Sequence, residues 1–166
     1  MVSKSGRYVV LFVCTGNTCR SPMAEYAFRA LLDKERPGKV KVVSAGTMGT
    51  GGHPATMYAV EAGKIWNLNL RPHHSQGLSR ELIAEADLIL VMASEHYRAV
   101  TELDPEAADR TYLLKKFPEP DPVGEAVEDP IGMGLEDYNR TFLEIGELLG
   151  QYLPEIVKRV DEKLNA

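Results

Sequence analysis

The sequence predicts an α/β domain in which a parallel β-sheet carries helices on both faces. Two observations predict it. Short apolar runs rich in β-forming residues alternate with helical segments along the whole chain. These runs are continuously apolar, which is typical of strands covered on both faces. The 166 residues contain no internal repeat and no linker, so we expect residues 1–166 to form a single domain.

Four strands are predicted from these apolar runs. They cover Tyr8 to Val13, Val40 to Ser44, Asp87 to Met92 and Thr111 to Phe117. The first run, YVVLFV, is continuously apolar and rich in β-forming residues. Right-handed crossovers between parallel strands then place the connecting helices on both faces of the sheet.

Helices are predicted where apolar residues recur at helical spacing. Ser21 is a good N-cap and Pro22 fits the first helical position, so a helix begins there after the first strand. The other predicted helices run from Pro54 to about Ala62, from Leu78 to Ala86, onward from a Ser94 cap, and from Leu135 to about Leu164 with a bend point at Pro154.

Composition and charge exclude several classes of protein. There are 19 Lys and Arg against 24 Asp and Glu, a net charge of -5, which provides no basic field for nucleic acid or acidic lipid. No apolar run approaches the roughly 18 residues of a membrane span, and the start lacks a signal-peptide pattern. Two cysteines, Cys14 and Cys19, are too few and too close together for a disulfide scaffold. We therefore expect a cytoplasmic protein that binds neither nucleic acid nor membrane.

The segment VCTGNTCRSPMAE after the first strand has the pattern of a phosphate-binding loop. Ligands of parallel α/β folds bind at the carboxyl ends of strands, where Cys14 lies. Arg20 follows six positions later and offers a planar fork of N–H donors, and a helix N-terminus comes next. Backbone N–H groups of the intervening loop can point inward at an oxyanion. The predicted cradle residues are Thr15, Gly16, Asn17, Thr18 and Cys19.

This cradle predicts nucleophilic chemistry at Cys14. A helix N-terminus and a nearby cation lower the pKa of a thiol, so we expect Cys14 to attack phosphorus and form a cysteinyl-phosphate intermediate. Gly16 would let the backbone approach the ligand, and Asn17 suits a left-handed position. The loop has neither the Lys-Ser/Thr of a P-loop nor a GxGxxG motif, so nucleotide binding is disfavoured.

The run CTGNTCRS, Cys14 to Ser21, extended by PMAE, closely resembles the active-site signature of the low-molecular-weight protein tyrosine phosphatase family. Within that family it is most similar to the bacterial protein arginine phosphatases. The resemblance covers nearly the whole chain. It includes Ser44-Ala45-Gly46 after the second strand, His74, Ala86-Asp87-Leu88, and an Asp-Pro before the last helix.

This resemblance implies a flavodoxin-like four-stranded parallel sheet and a two-step hydrolysis of a phosphorylated protein substrate. No cofactor is implied, and the histidines at 53, 73, 74 and 96 do not form a convincing metal set. The general acid would come from an Asp-Pro loop. Tyr138 lies nine positions after Asp129, the spacing that the family shows, so the acid is assigned to Asp129. Asp121 is the alternative, and Asp104 is expected to form a turn.

Supporting roles are expected for three further residues. Ser21 would hydrogen-bond the Cys14 thiolate, a role compatible with capping the helix. Ser44 and His74 resemble the family's hydrogen-bond network behind the loop.

Cys19 has two interpretations. It is either a small packing residue or, as it resembles, the family's resolving cysteine. The second interpretation predicts a reversible disulfide between Cys14 and Cys19 under peroxide.

Thr18 leads us to expect phosphoarginine as the substrate. Tyrosine-selective relatives usually carry a bulky aliphatic residue at this position, whereas arginine phosphatases resemble this chain in having Thr. The alternative is that Thr18 only forms hydrogen bonds with the backbone of its own loop, and phosphotyrosine is the alternative substrate.

Ile131 replaces the aromatic residue that family members commonly carry after the Asp-Pro. Acidic residues around the predicted mouth could favour a cationic side chain; they are Glu119, Asp121, Glu125 and Glu128.

Two other functions are disfavoured. An arsenate reductase on this scaffold would need cysteines after Cys19, and the sequence has none. A non-catalytic phosphate-binding module would normally have lost Cys14, Arg20 or the acid.

Overall fold

Four parallel strands form one sheet in the computed structural model, which describes residues 6–165. The strands are β1 (Tyr8–Cys14), β2 (Val40–Gly46), β3 (Leu88–Val91) and β4 (Thr111–Leu113), in the spatial order β2-β1-β3-β4. The predicted four-stranded parallel sheet is therefore confirmed. β4 is shorter than predicted because the Leu113 carbonyl accepts hydrogen bonds from the N–H groups of Lys116 and Phe117, which turns the chain.

Five α-helices connect and cover the strands. They are α1 (Arg20–Glu35), α2 (Met57–Lys64), α3 (Arg80–Glu85), α4 (Ser94–Leu103) and α5 (Leu135–Leu164). A 3-10 helix, Pro105–Arg110, precedes β4. α5 has its predicted bounds and continues through Pro154. Two predicted caps are wrong. Cys19 rather than Ser21 precedes α1, and Ala93 rather than Ser94 precedes α4.

The side chains of β1 alternate between two apolar cores, one on each face of the sheet. Val10 and Phe12 contribute to a core completed by α1, α2 and α5, and the Phe12 ring meets Phe28 of α1 edge to face. Val9 and Leu11 contribute to the opposite core, which includes residues of α3 and α4. Each large side chain that is fully buried contributes roughly 1.5–3 kcal/mol to folding. Both faces are thus covered, as the continuous apolar runs predict.

The carboxyl ends of β1, β2 and β3 define one edge of the sheet, and the loop after β1 lies there. Cys14 is paired with Gly46 at the end of β2. A Cβ on Gly46 would lie 2.5 Å from the Thr15 carbonyl oxygen, so only glycine lets this loop pack against β2. At the end of β3, the Met92 carbonyl accepts a hydrogen bond of 2.8 Å from the Val127 N–H. This bond ties the segment before α5 to the same edge.

Candidate active site

Cys14 occupies the end of β1 and is buried, with 2% of its surface exposed. Its Sγ lies 2.8 Å from Ser21 Oγ and accepts a hydrogen bond of 3.2 Å from the Asn17 N–H. Burial raises the pKa of the Cys14 thiol above its ordinary value, while contacts with Ser21, Arg20 and the Asn17 N–H oppose that effect. Burial thus opposes the lowering of this pKa that the sequence predicts, whereas these donors favour it.

Asn17 forms the hydrogen bonds that hold the loop in its shape. Its φ is 58°, the left-handed conformation that the sequence predicts. Its amide Nδ2 donates to Ser21 Oγ and to Ser44 Oγ, both at 2.8 Å. Its Oδ1 accepts from the Gln76 N–H at 2.9 Å, and its carbonyl oxygen lies 2.7 Å from His73 Nε2. The amide orientation is fixed, since the Gln76 N–H can only donate.

The direction of these hydrogen bonds leads to the thiol. Ser44 Oγ donates to the Glu25 carboxylate at 2.7 Å, and it can then accept from Asn17. Because Asn17 also donates to Ser21, the Ser21 hydroxyl keeps its own hydrogen for Cys14 Sγ. The buried Glu25 carboxylate thus fixes the direction of the hydrogen bonds through Ser44, Asn17 and Ser21, so that the last one is donated to the sulfur. These contacts give the predicted support by Ser21 and Ser44 a geometric basis. Hydrogen bonds to a charged group contribute about 1.5–3 kcal/mol each.

Arg20 places a buried cation beside the loop, with 5% of its surface exposed. Its Nη1 donates to the Val127 carbonyl at 3.0 Å. Its Nη2 lies 3.4 Å from both Thr15 Oγ1 and Asp129 Oδ2. The guanidinium is therefore held by the β1 loop on one side and by the segment before α5 on the other.

Of the three Asp-Pro aspartates, Asp129 alone contacts Arg20 in the described part of the chain. Its side chain is 39% exposed, so it lies on the rim of the loop. Asp121 forms an ion pair with Lys116, and Asp104 caps the 3-10 helix by accepting from the Glu106 N–H. The structure therefore brings Asp129, and not the alternative Asp121, to the predicted cradle.

The cradle itself leaves donors available. Within residues 6–165, the N–H groups of Gly16, Thr18 and Cys19 have no acceptor in the protein. These groups remain free to bind an oxyanion. A Cβ on Gly16 would meet Thr18 Oγ1 at 3.6 Å, which is ordinary contact, so packing alone does not require this glycine.

Cys19, at the end of the same loop, is also buried. Its Sγ lies 3.4 Å from Tyr138 Oη and 3.5 Å from Thr56 Oγ1. The Tyr138 hydroxyl also accepts from Thr56 at 3.3 Å, and burial raises the pKa of Tyr138 to about 12. Tyr138, used in the sequence only to locate Asp129, therefore anchors the loop to α5.

His74 is the one predicted support that the structure does not bring to the network. Its side chain is exposed, whereas His73 is buried at 5% exposure and contacts the Asn17 carbonyl. Residues 73–75 run in extended backbone, as the isolated bridge between Pro54 and His74 indicates, so neighbouring side chains point in opposite directions. The assignment to His74 is thus corrected to His73.

Sequence reasoning missed several residues that shape the site. Glu25 follows Ser21 by one helical turn on the buried face of α1, and this spacing was the available signal. Its second oxygen is paired with Arg29. No local sequence pattern gives His96 a role, yet its Nε2 lies 2.9 Å from Thr15 Oγ1. The Val127 contact uses a backbone carbonyl, for which no side-chain pattern exists.

Residues 6–165 contain neither a candidate metal cluster nor a helix that could span a membrane. No group of three or more His, Cys, Asp or Glu is arranged to hold a metal ion. None of the helices there combines the length and apolar character needed to cross a membrane.

The donor chain predicts the reactivity of Cys14. In a Cys19→Ser background, we expect Ser21→Ala to raise the pKa of Cys14 further, because the thiolate loses a hydrogen-bond donor. Alkylation of Cys14 by iodoacetamide at neutral pH should slow by about tenfold. Ser75→Ala is the matched control, because Ser75 is also buried at this edge but donates to the Thr50 carbonyl. Equal rates in Ser21→Ala and the parent would contradict the role given to Ser21.

Comparison with known proteins identifies the family. The family model described as low molecular weight phosphotyrosine protein phosphatase matches residues 9–165. A protein-arginine-phosphatase of Bacillus subtilis (strain 168) is 36% identical over 152 residues, 90% of this chain and 97% of the relative. The low molecular weight protein-tyrosine-phosphatase Etp of Escherichia coli (strain K12) is 42% identical over 117 residues, 68% of this chain and 76% of the relative.

A solved structure agrees with these relatives. It is a YwlE arginine phosphatase, a mutant with a phosphorylated active-site serine. The two structures have a TM-score of 0.85 at 36% identity, covering 94% of this chain and 99% of the other. Since the family model extends over nearly the whole sequence, the chain belongs to the low-molecular-weight phosphotyrosine protein phosphatase family.

Proposed function

We propose that this protein hydrolyses phosphoarginine on protein substrates through a cysteinyl-phosphate intermediate. The observation that carries the proposal is the meeting of Cys14, the free loop N–H groups, Arg20 and Asp129 at one edge of the sheet. Arg20 and Asp129 lie 3.4 Å apart, and the Cys14 thiol lies at the base of the same loop. The roles below are proposed for these residues.

In the first step, the Cys14 thiolate attacks phosphorus and the bond from phosphorus to the leaving nitrogen breaks. The cradle of Thr15 to Cys19 and the Arg20 fork bind the phosphoryl oxygens. A bound phosphoryl group would draw Arg20 donors away from Asp129. The protonated Asp129 carboxyl then gives its proton to the departing guanidino nitrogen, and the Ser21 donor stabilises the thiolate.

In the second step, water attacks the phosphocysteine. The Asp129 carboxylate accepts the proton of the water, the phosphorus–sulfur bond breaks, and phosphate and the Cys14 thiolate are released. The phosphorylated active-site serine in the solved YwlE mutant supports such a covalent route. Neither step uses a metal or cofactor.

Thr18 supports phosphoarginine over phosphotyrosine. In the described chain, the only partner of its hydroxyl is Cys19 Sγ, 3.9 Å away, so the hydroxyl is available to a polar guanidine. Ile131, 58% exposed beside Asp129, offers no ring to stack on a phosphotyrosine. The Bacillus subtilis relative is a protein-arginine-phosphatase, which agrees with this choice. The Escherichia coli relative is a tyrosine phosphatase, so phosphotyrosine is the competing substrate.

The proposal extends to the setting of the enzyme. We propose that residues 1–166 act as a single domain in the cytoplasm, without binding nucleic acid or membrane. The net charge of -5 supports this, because it offers no broad attraction for polyanions. A reducing compartment also suits two free, buried thiols.

Cys19 supports redox control of the same site. We propose that peroxide converts Cys14 to a sulfenic acid, which condenses with the Cys19 thiol to a disulfide and water. Cys19 Sγ would have to leave its contacts with Tyr138 and Thr56 to do so. A thiol reductant would then restore Cys14.

The acid role predicts different effects for two aspartates. Asp129→Asn should lower kcat on a phosphoarginine peptide by about 100-fold to 10,000-fold, the range for a lost general acid. The loss should be smaller on p-nitrophenyl phosphate, whose leaving group needs little protonation. Asp121→Asn is the matched control, because Asp121 pairs with Lys116 instead. A large loss in Asp121→Asn with none in Asp129→Asn would reverse the assignment.

The substrate choice predicts the outcome of one substitution. We compare kcat/KM on phosphoarginine and phosphotyrosine peptides, with Cys14→Ser as the inactive control. Thr18→Ile should shift the ratio of the two values toward phosphotyrosine by at least about tenfold, because the guanidine loses a polar partner. Thr18→Ser keeps the hydroxyl and should keep the ratio. A wild-type protein that favours phosphotyrosine, or a ratio unmoved by Thr18→Ile, would refute the specificity.

The redox role predicts loss of recovery. After peroxide and then a thiol reductant, the wild type should regain most of its activity, whereas Cys19→Ser should not, since its Cys14 oxidises irreversibly. Recovery is measured as a fraction of each variant's own initial activity. Equal recovery in both proteins would show that Cys19 does not protect Cys14.

A further inference from the structure

His96 is a buried titratable residue with no role in the mechanism above. It lies in the first turn of α4 and has 0% of its surface exposed. Its Nδ1 atom has no hydrogen-bond partner among the described residues. A buried polar atom without a partner lowers stability, so packing alone gives no reason for a histidine here. Its one side-chain hydrogen bond in that part of the chain is directed into the active site.

That hydrogen bond reaches the phosphate cradle. His96 Nε2 lies 2.9 Å from Thr15 Oγ1, and Arg20 Nη2 donates to the same oxygen at 3.4 Å. The guanidinium can only donate, so the Thr15 hydroxyl accepts a hydrogen bond from Arg20. Its hydrogen and its second lone pair remain available for the hydrogen bond with His96. The Thr15 hydroxyl is therefore held between an imidazole and the cation that binds the phosphoryl group.

The imidazole is suited to this place because it remains uncharged. Burial and the Arg20 cation lower the pKa of His96 to about 4, while Asp129 acts in the opposite direction. A neutral ring at neutral pH forms a hydrogen bond with Thr15 without adding a second cation beside Arg20. It therefore leaves the interaction of Arg20 with an anion undisturbed.

We propose that His96 is a positioning residue that holds the Thr15 hydroxyl against Arg20 and so fixes the plane of the guanidinium for the phosphoryl group. The inference rests on the proposed phosphatase function. Val127 holds Nη1 from the other side at 3.0 Å, so the planar group is fixed at two points. Loss of the Thr15 contact leaves Nη2 held only by Asp129, and in the proposed mechanism the phosphoryl group draws Arg20 away from that carboxylate. The effect of His96 must therefore pass through Thr15.

A double-mutant cycle tests this route. We expect His96→Phe and Thr15→Val each to lower kcat/KM on p-nitrophenyl phosphate by about tenfold, and to weaken vanadate binding by a similar factor. The double variant should lose no more than the worse single variant. His96→Gln, whose amide nitrogen can reach Thr15, should recover activity to within about threefold of wild type.

Melting temperature separates positioning from packing. His96→Phe removes the unpartnered Nδ1 atom, so its melting temperature should not fall with its activity. Val100→Ala is the matched control, one turn later on the buried face of α4. It should melt earlier through a cavity in the opposite core, with kcat/KM unchanged well below its melting point.

Three outcomes would overturn the proposal. In the first, His96→Phe keeps the wild-type kcat/KM and vanadate affinity. In the second, the loss in the double variant equals the product of the two single losses. In the third, His96→Gln is no more active than His96→Phe. Failure of the proposed function looks different, because the wild type itself would then hydrolyse no faster than Cys14→Ser. Vanadate affinity in the same variants still tests His96 in that case.

Discussion

The active site depends on one residue held in a left-handed conformation. This conformation is unfavourable for most L-residues and more accessible to Asn, and the loop keeps Asn17 there by bonding both its backbone and its amide. Those bonds reach α1, the end of β2 and the segment around residue 76. Three parts of the chain that are distant in sequence thus converge on a single amide. The shape of the cradle is therefore set by the tertiary fold rather than by the loop alone.

The fold also places a positive site in a protein whose net charge is negative. The protein carries a net charge of -5, yet its active site must attract an anion. Burial of Arg20 solves this, because a cation away from water acts strongly over a short range. Loop N–H groups add partial positive charge without adding a titratable group. The thiol lies in the same buried region, so burial raises the pKa of Cys14 and the surrounding donors oppose that effect.

Sequence reasoning could predict the elements whose signals are local. Continuous apolar runs predict the strands, the spacing from Cys14 to Arg20 predicts the cradle, and asparagine suits a left-handed turn. The sequence could not decide which of two neighbouring residues reaches the site, or which of two roles a side chain has. His73 and His74 differ only in which side of an extended segment they occupy, and that depends on packing. Ser21 could cap a helix or support a thiol, and its side chain serves the thiol.

Interactions between distant segments were less accessible still. Thr15 and His96 are 81 positions apart, and nothing in either local pattern announces their contact. The pKa of Cys14 depends on how deeply the finished fold buries it. Sequence motifs thus identify which groups perform the chemistry, whereas the groups that orient them emerge only from the packed structure.

The hydrogen bond from Val127 to Met92 also has an evolutionary consequence. It anchors the segment of the proposed acid just before Asp129, while α5 anchors it just after. Residues 118–126, on the other side of that anchor, are all exposed. Insertions or charge changes there could alter the surface of the protein while the position of Asp129 stays the same. The same active-site residues could in this way be inherited unchanged while the protein substrates differ between related enzymes.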